Sequence, residues 1–532
     1  MKHRVAFFLT ICLVAAASLI FAQTAQQPAN YGTTGAGTDT NPYQIATWQN
    51  LYWLSQNSEH WDAHFIQTAN IDFGTASPPI QEWDGGKGWT PIGFFCRISE
   101  TNNNPFTGKY DGDGHAITGL FANRAEMGDG DLQPPPGEGH PEDPEICPLT
   151  SVGLFGSVDG AVIRDLNLIA VDMSGLSGVG ALAVETIFST VENVSASGTV
   201  SGAEAVGGLI GVAVNSNITD VSSSVNVSTV SFSGGLLGAA FESTIRNSFA
   251  TGSITADGEF SPGELGLPGP QGGMLAASGM ADRRYSRSSG SSTSGYRFSG
   301  FAIGGFIGDA VSSTIEQSYS TGDVQGGVET GGFASYISGN TVIRESFSTS
   351  SVSGARHVGG FIGYAFSGEI HDSYHRGDVA GEENVGGFTG TGGSVTITHS
   401  YSTGAVTGSS EVNGFVGFYE ERREDELLIE DSFWDITTSG IGEPGDDNFG
   451  ATGKTTEQMQ NPDLFTDIWD IRTDDNIPVG YPMLTWELNT NSPPWTFGTG
   501  GPPAIPLSGW STGITLLLMG IFTVRIVLRK LL

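Results

Sequence analysis

The sequence predicts an all-β fold, a right-handed parallel β-solenoid (β-helix) of about ten 27-residue rungs. Three observations carry this. First, glycine pairs followed by a bulky apolar residue recur at a fixed interval. Gly207-Gly208, Gly234-Gly235, Gly304-Gly305, Gly331-Gly332, Gly359-Gly360 and Gly386-Gly387 are spaced by 27, 70, 27, 28 and 27 residues. Gly180-Ala181 precedes the series, Asn413-Gly414 continues it, and VGLFG from Val152 is a worn earlier copy. A fixed period of this length means stacked units. Second, each unit breaks into short runs such as GGFIG, TIEQSYSTG and DVQG. They are rich in Val, Ile, Tyr, Phe, Ser and Thr and separated by Gly or Ser, which suits strands and turns rather than helix. Third, Gly reaches 78 residues with no Gly-X-Y period, and charged residues are only 15% of the chain. That composition fits many short strands joined by tight turns.

The N-terminus, residues 1–22, reads as a secretory signal peptide. Lys2 and Arg4 precede an apolar run from Val5 to Phe21, and the small Ala22 marks the cleavage site. Residues 37–120 are expected to hold an N-terminal cap and the first rung. Within them Trp48, Leu51, Tyr52 and Leu54 fall at helical spacing after Thr47, a possible N-cap, so Ala46–Asn57 predicts a short capping helix. Residues 121–151 form an acidic, Pro-rich loop. The export signal permits a disulfide between Cys96 and Cys147, but the sequence equally allows two separate thiols.

The solenoid proper is expected over residues 152–440. One rung cannot bury its own apolar face; stacking places like over like at ~4.8 Å per rung and gives a rod of ~45–50 Å. Phe306, Phe333, Phe361, Phe388 and Phe415 would form one ladder, and Tyr319, Phe347, Tyr374 and Tyr401 a second. Ile315, Val342, Ile370 and Ile397 would form a third. The repeated glycines either supply turn dihedrals that a Cβ resists or leave room beneath the aromatic rows. The spacing of 70 is one period plus an insertion of 43 residues, placed at 259–302. A C-terminal cap is expected over 441–490, from TTEQMQNPDLF and YPMLTWE, and a Pro/Gly linker over 491–505. The tail, 506–532, has a short motif, an apolar run of twelve residues from Gly513 to Val524, and a basic end. The run is short of the ~20 residues of a full span. Its order resembles tripartite envelope-sorting signals, implying attachment to the bacterial envelope membrane, with the tail retained or processed.

The copies VGGLIG…STIRNSFATGSI and IGGFIG…STIEQSYSTGDV resemble the GLUG-repeat family. NPYQIATWQNLYWLSQ, GWTPIG and FTGKYDGDGHAITGL resemble the usual lead-in to such arrays, and SFWDITTSG, GATGKTTEQMQ and YPMLTW the usual exit. The resemblance covers Gly37 to Glu487. It implies a bacterial surface scaffold, adhesin-like or akin to the non-catalytic region of certain immunoglobulin-cleaving metallopeptidases. It implies no catalytic residue.

Candidate chemistry is sparse. His60 and His64 stand at i,i+4 in HWDAH, but Trp61 occupies the place where a zinc peptidase motif needs Glu. Asp111 and Asp113 in DGDG are weak calcium candidates without the further carboxylates of a calcium loop; a β-turn is the plainer reading. Asp309, Glu316 and Asp323 share one rung, and Glu369, Asp372 and Asp378 another. They are read as solvent-facing acids, because a net charge of −35 must be spread over the surface. Glu420–Glu430 reads as a solvated charged bulge. Arg283, Arg284, Arg287 and Arg297, interleaved with Tyr285, Tyr296 and Phe298, read as a loop that could contact an anionic glycan or the chain's own acidic face. No GK[ST] follows any glycine pair, so no phosphate loop is expected, and no cofactor. The charge excludes nucleic acid as a partner. The expectation is a non-enzymatic, envelope-tethered, monomeric rod binding a glycan or protein ligand of unknown identity. The alternative is a β-helical polysaccharide lyase or hydrolase. The places to look are where the repeat is broken.

Overall fold

The computed structural model describes residues 23–93, 104–125, 150–256, 302–421, 426–465, 469, 471–472, 480–488 and 495–498. The signal-peptide segment, Cys96, Cys147, the four arginines of the insertion and the C-terminal tail lie outside the described residues. The chain divides into two units, Met1–Thr456 and Glu457–Leu532.

The first unit is a parallel β-solenoid. Its strands pair in parallel with their counterparts one turn away, apart from Asp447–Asn448, which pairs antiparallel with Ala451–Lys454. The strand after the glycine pair runs in register from Phe155 through Ala183, Ile210, Leu237, Ile307, Ala334, Ile362 and Thr389 to Val416. Leu237 pairs directly with Ile307, so the ladder continues across the insertion. Ala302 is buried in the wall and its carbonyl accepts from Ser233 N at 2.9 Å, which assigns it to the rung rather than to the insertion. The nine strands of this row bound eight full turns, and earlier rungs precede them. The first turns are in the stack but irregular in length: Tyr43 pairs with Phe65, Phe65 with Tyr110, and Tyr110 with Ile163.

The interior ladders follow the predicted rows. The Phe306, Phe333, Phe361, Phe388 and Phe415 rings stack with centroids 4.7–5.0 Å apart. The second row, Tyr319, Phe347, Tyr374 and Tyr401, stacks at 4.8–5.1 Å and is extended by Phe249. The third ladder needs correction. Ile315 pairs with Ile343, which pairs with Ile370 and so on to Ile397. Val342 pairs with Thr314 and Glu369 instead. The rung with the 28-residue spacing carries its extra residue in the Gly339-Asn340 turn, where Gly339 has φ +67°, and this displaces Val342 by one place.

The glycine pairs answer to space, not to dihedral angle. None of the six pairs has positive φ. A Cβ on Gly305 would lie 1.9 Å from the carbonyl oxygen of Gly332 in the next turn, and one on Gly304 1.8 Å from that of Ile307. Left-handed corners are instead taken by other residues. One corner row is Asp165, Asn193, Asp220, Asn247, Gln317, Glu345, Asp372, His399 and Asp431, all with φ between 48° and 57° apart from Glu345 at 46°. Asn and Asp tolerate this conformation best. Just inside it runs a buried serine ladder. Ser248, Ser318, Ser346, Ser373 and Ser400 each donate their backbone N–H to the hydroxyl of the next serine, ending at Ser432, at 3.2–3.4 Å. Each hydroxyl donates to the carbonyl two residues before it. The corner thereby satisfies backbone groups that no strand ladder reaches.

At the N-terminal end the helix Trp48–Gln56 forms as predicted. Thr47 caps it in a capping box completed by Asn50, and Trp48, Leu51 and Leu54 are buried in the main core. Farther along, Phe433–Asp435 pairs with Ala451–Lys454. Asp435 caps the short helix Ile436–Ser439 and also accepts from the Thr456 hydroxyl at 2.7 Å. In the second unit Trp495–Gly498 pairs antiparallel with Tyr481–Leu484 and parallel with Ile471–Arg472. Part of the stretch expected to be a linker is therefore strand.

Candidate functional site

Successive strand residues face opposite sides. In Ile307–Val311 and Ala334–Ser338, Ala310 and Ile337 point to the main core. Asp309, Val311, Tyr336 and Ser338 point the other way, yet they are buried too. What buries them is a second, outer seam. Its other wall is a corner row that precedes each glycine pair, with left-handed backbone at Ala205, Phe232, Glu329, His357, Asn384 and Glu411.

The seam changes character along the solenoid. It opens on a polar pair in the strand row, Ser157 donating to Glu185 at 2.6 Å, and then turns apolar: Ile187, Ala205, Val212, Val214, Phe232, Ala239, Phe241, Ala302 and Val311 form one cluster. The strand row then continues from Ala239 to Asp309, Tyr336, Tyr364, Thr391 and Phe418. The corner row continues to Glu329, His357 and Asn384, each flanked by paired neighbours. Acid, imidazole, amide and phenol thus replace Val, Ala and Phe at equivalent places.

Asp309 is 1% exposed and Glu329 4%. Asp309 Oδ1 and Glu329 Oε2 have no hydrogen-bond partner. Burial pushes the Asp309 carboxyl up to about 8. Burial, and then the Asp309 charge, push Glu329 up to about 8. The Tyr336 hydroxyl is raised by burial first and then by Asp309. These dependences place the three groups within electrostatic reach of one another.

The next turns form a connected polar patch. Asn384 Nδ2 donates to His357 Nδ1 at 3.2 Å, and the Thr391 hydroxyl lies 2.6 Å from the same nitrogen. With Nδ1 accepting, the ring proton is assigned to Nε2. Burial, reinforced by Arg356, lowers His357 to about 4. Its ring stacks on Tyr364 at 5.6 Å, and the Tyr364 hydroxyl donates to Glu420. Chemically, the seam offers hydrogen-bonding groups and aromatic edges, plus two buried acids whose ionisation is disfavoured.

The residues singled out from sequence are mostly elsewhere. Asp111 accepts from Arg164 Nη2 at 2.5 Å and Nε at 2.8 Å, and its other oxygen accepts from Asp113 N at 3.0 Å. Asp113 has φ +49° in the turn between Lys109–Asp111 and Ala116–Thr118. His60 lies 3.3 Å from the Tyr31 hydroxyl and His64 3.4 Å from Asp39. Among the described residues no group of three or more His, Cys, Asp or Glu is arranged to hold a metal. Glu316 pairs with Arg246 at 3.1 Å, Glu369 with His371 at 3.1 Å, and Asp378 accepts from Ala405 N at 2.8 Å. Asp323 is exposed.

Two readings are corrected. Asp309 is not a solvent-facing acid, because the seam closes over its side of the strand. Glu420, at the start of the expected solvated bulge, is half-buried and takes the Tyr364 hydroxyl; residues 422–425 of that bulge lie outside the described residues. Glu329, Tyr336, His357 and Tyr364 were not anticipated. The available signal was an acid at Asp309 where the two preceding copies hold Val212 and Ala239, an earlier copy carrying Glu185.

The family model for the GLUG motif matches residues 202–228. The chain is 31% identical over 167 residues to Halomucin of Haloquadratum walsbyi, a stretch covering 31% of this chain and 2% of that protein. It is 30% identical over 189 residues to a protein of Evansella cellulosilytica named "Putative Gly-rich membrane protein", covering 35% of this chain and 18% of that one. The matched stretch is thus a small part of either relative. A crystal structure titled as that of "a putative immunoglobulin A1 protease from Bacteroides ovatus" aligns with 80% of this chain and 87% of its own, at 14% identity and a TM-score of 0.30. The GLUG resemblance read from the repeats is met by the family match.

Proposed function

We propose that this chain is a non-enzymatic, exported GLUG-repeat solenoid, displayed at a bacterial envelope as an adhesin-like scaffold that binds glycan, matrix or another cell. One observation carries the reading: the inner rows stay nearly constant from turn to turn while the outer seam is rewritten at each turn. Phe306 to Phe415 repeat one ring, whereas the strand row of the seam reads Ala239, Asp309, Tyr336, Tyr364, Thr391 and Phe418. Folding needs the first pattern. The second is how a repeat scaffold acquires a binding face, and it reaches the surface at Arg356, Glu411 and Phe418, which are exposed. The names of the relatives, a halomucin and a membrane protein, agree with envelope display. In this reading the signal at 1–22 exports the chain, the tail at 506–532 tethers it, and the rod acts as a monomer.

The polysaccharide-processing alternative gains a pair of neighbouring carboxylates in Asp309 and Glu329. A general acid must reach its substrate, and at 1% and 4% exposure these two do not. Binding is therefore the better reading. A glycan array run beside a reducing-sugar release assay on the full chain separates the two. Binding without turnover is expected. Sustained sugar release that is lost on Asp309→Asn would overturn the binding reading. Fractionation of the full-length protein to the cytoplasm would overturn export and tethering.

A further inference from the structure

One nitrogen in the polar half of the seam ties three stretches of backbone together. His357 belongs to the corner strand Arg356–Gly359, and Asn384 to its counterpart one turn on, Glu383–Gly386. Thr391 belongs to the strand Thr389–Thr398 of the facing wall. The Asn384 and Thr391 side chains both meet His357 Nδ1, at 3.2 and 2.6 Å, and these two residues are 6% and 2% exposed. Nδ1 can serve them only while it carries a lone pair.

A proton on Nδ1 would turn this acceptor into another donor. Thr391 could rotate its hydroxyl to accept; the Asn384 N–H could not, and a buried donor without an acceptor is costly. The surroundings do little for the new charge. Arg356 is a like charge beside the ring, and Glu383, on the next corner, is held by Arg356 at 3.0 Å. Glu420, just past the strand Val416–Tyr419, takes the Tyr364 hydroxyl. Glu329, one turn back in the corner row, is kept protonated below about 8 by burial, and burial raises the Tyr336 phenol as well. We propose that His357 is an acid-sensitive latch: protonation at Nδ1 frees the two corner strands from the facing wall and opens the polar half of the seam, while the inner ladders stay stacked. In the closed seam, burial and then Arg356 hold the imidazole at about 4; an opened, wetted ring returns to about 6.5. A base depressed in the closed state stabilises closure above about 6.5, and that contribution is lost as pH falls from there towards 4. The latch would act whatever the seam binds.

Hydrogen exchange of the full chain at pH 7 and pH 5, corrected for intrinsic rates, tests this. Protection of residues 356–359 and 383–386 should fall by about tenfold at pH 5, a figure discounted for the solvent that reaches a half-buried ring. Low urea separates local opening from unfolding. Exchange at the two corners should be nearly independent of urea, whereas exchange at Ser373 and Ser400 of the inner ladder should accelerate with it. His357→Asn puts an oxygen in the place of Nδ1 and takes up no proton in this range. The chain has precedent for it in Asn384, at φ +56° against +53° for His357. Its corner protection should be equal at both pH values. His357→Ala, with precedent in Ala205 of the same row, removes the acceptor and should lower corner protection already at pH 7. Unchanged corner protection in the parent, or a pH dependence that survives in His357→Asn, would overturn the proposal. So would corner exchange as steep in urea as that of the serine ladder, or a His357→Ala chain protected like the parent.

Discussion

His375 shows what one residue costs and permits. It occupies a row held by Ser320, Ser348 and Ser402 in neighbouring turns, is fully buried, and bonds its own turn at Gly377 through Nε2. Its ring fits only because residue 360 is glycine; a Cβ there would lie 2.0 Å from His375 Cδ2. Burial lowers its pKa to about 4. The sign follows from linkage. Below about 6.5 the unfolded chain takes up a proton that the folded chain refuses until about 4, so stability is lost as pH falls through that window. The loss attributable to this group is about 3 kcal/mol. His375→Ser should cost stability at pH 7 through the space it leaves, yet flatten the decline between pH 6.5 and 4. Urea unfolding of parent and variant across that range measures the difference. Parallel pH profiles would refute the assignment. The corner residue His399 behaves in the opposite sense: Asp372 at 3.6 Å raises its pKa, so its contribution is present in acid and fades as pH rises through the folded value.

At the scale of the rung, the inner row preceding each outer strand makes a quantitative claim. Leu154, Leu182, Leu209 and Leu236 occupy it before the insertion and five phenylalanines after it. Phe361 is fully buried between rings 4.7 and 5.0 Å away. Phe361→Ala should destabilise by about 3–5 kcal/mol. Phe361→Leu should cost less than about 2 kcal/mol, because the row already accepts leucine in four turns. Equal losses in chemical unfolding would mean the row is set by something other than volume and stacking. These inner rows were legible because an exact period fixes which residue lies over which. The slip at Val342 came from one residue in the Gly339-Asn340 turn, which a spacing of 28 announced without saying where it fell. The serine ladder was written in the text as the Ser before each aromatic, but its purpose depends on where backbone N–H groups point. The seam was less legible still. Alternation says that Asp309 faces away from the core, not that a second wall closes over it.

For the solenoid as a whole, the decisive question is whether each turn depends only on its neighbours. The insertion offers the test. Ala256 lies in the position of Gly326 one turn on, since Thr255 leads to Gln325 in register, and Ala302 in the position of Glu329. In the next turn only Gly327 and Val328 separate those two positions. Residues 257–301 can therefore be replaced by Gly-Val without altering any register, leaving one uninterrupted 27-residue turn. A long loop whose ends already meet adds little closure entropy per residue, and nearest-neighbour stacking carries the stability of repeat arrays. The shortened chain should keep its far-ultraviolet circular dichroism and unfold within a few degrees of the parent. A large loss of Tm, or loss of cooperative unfolding, would show that residues 257–301 support the wall they interrupt.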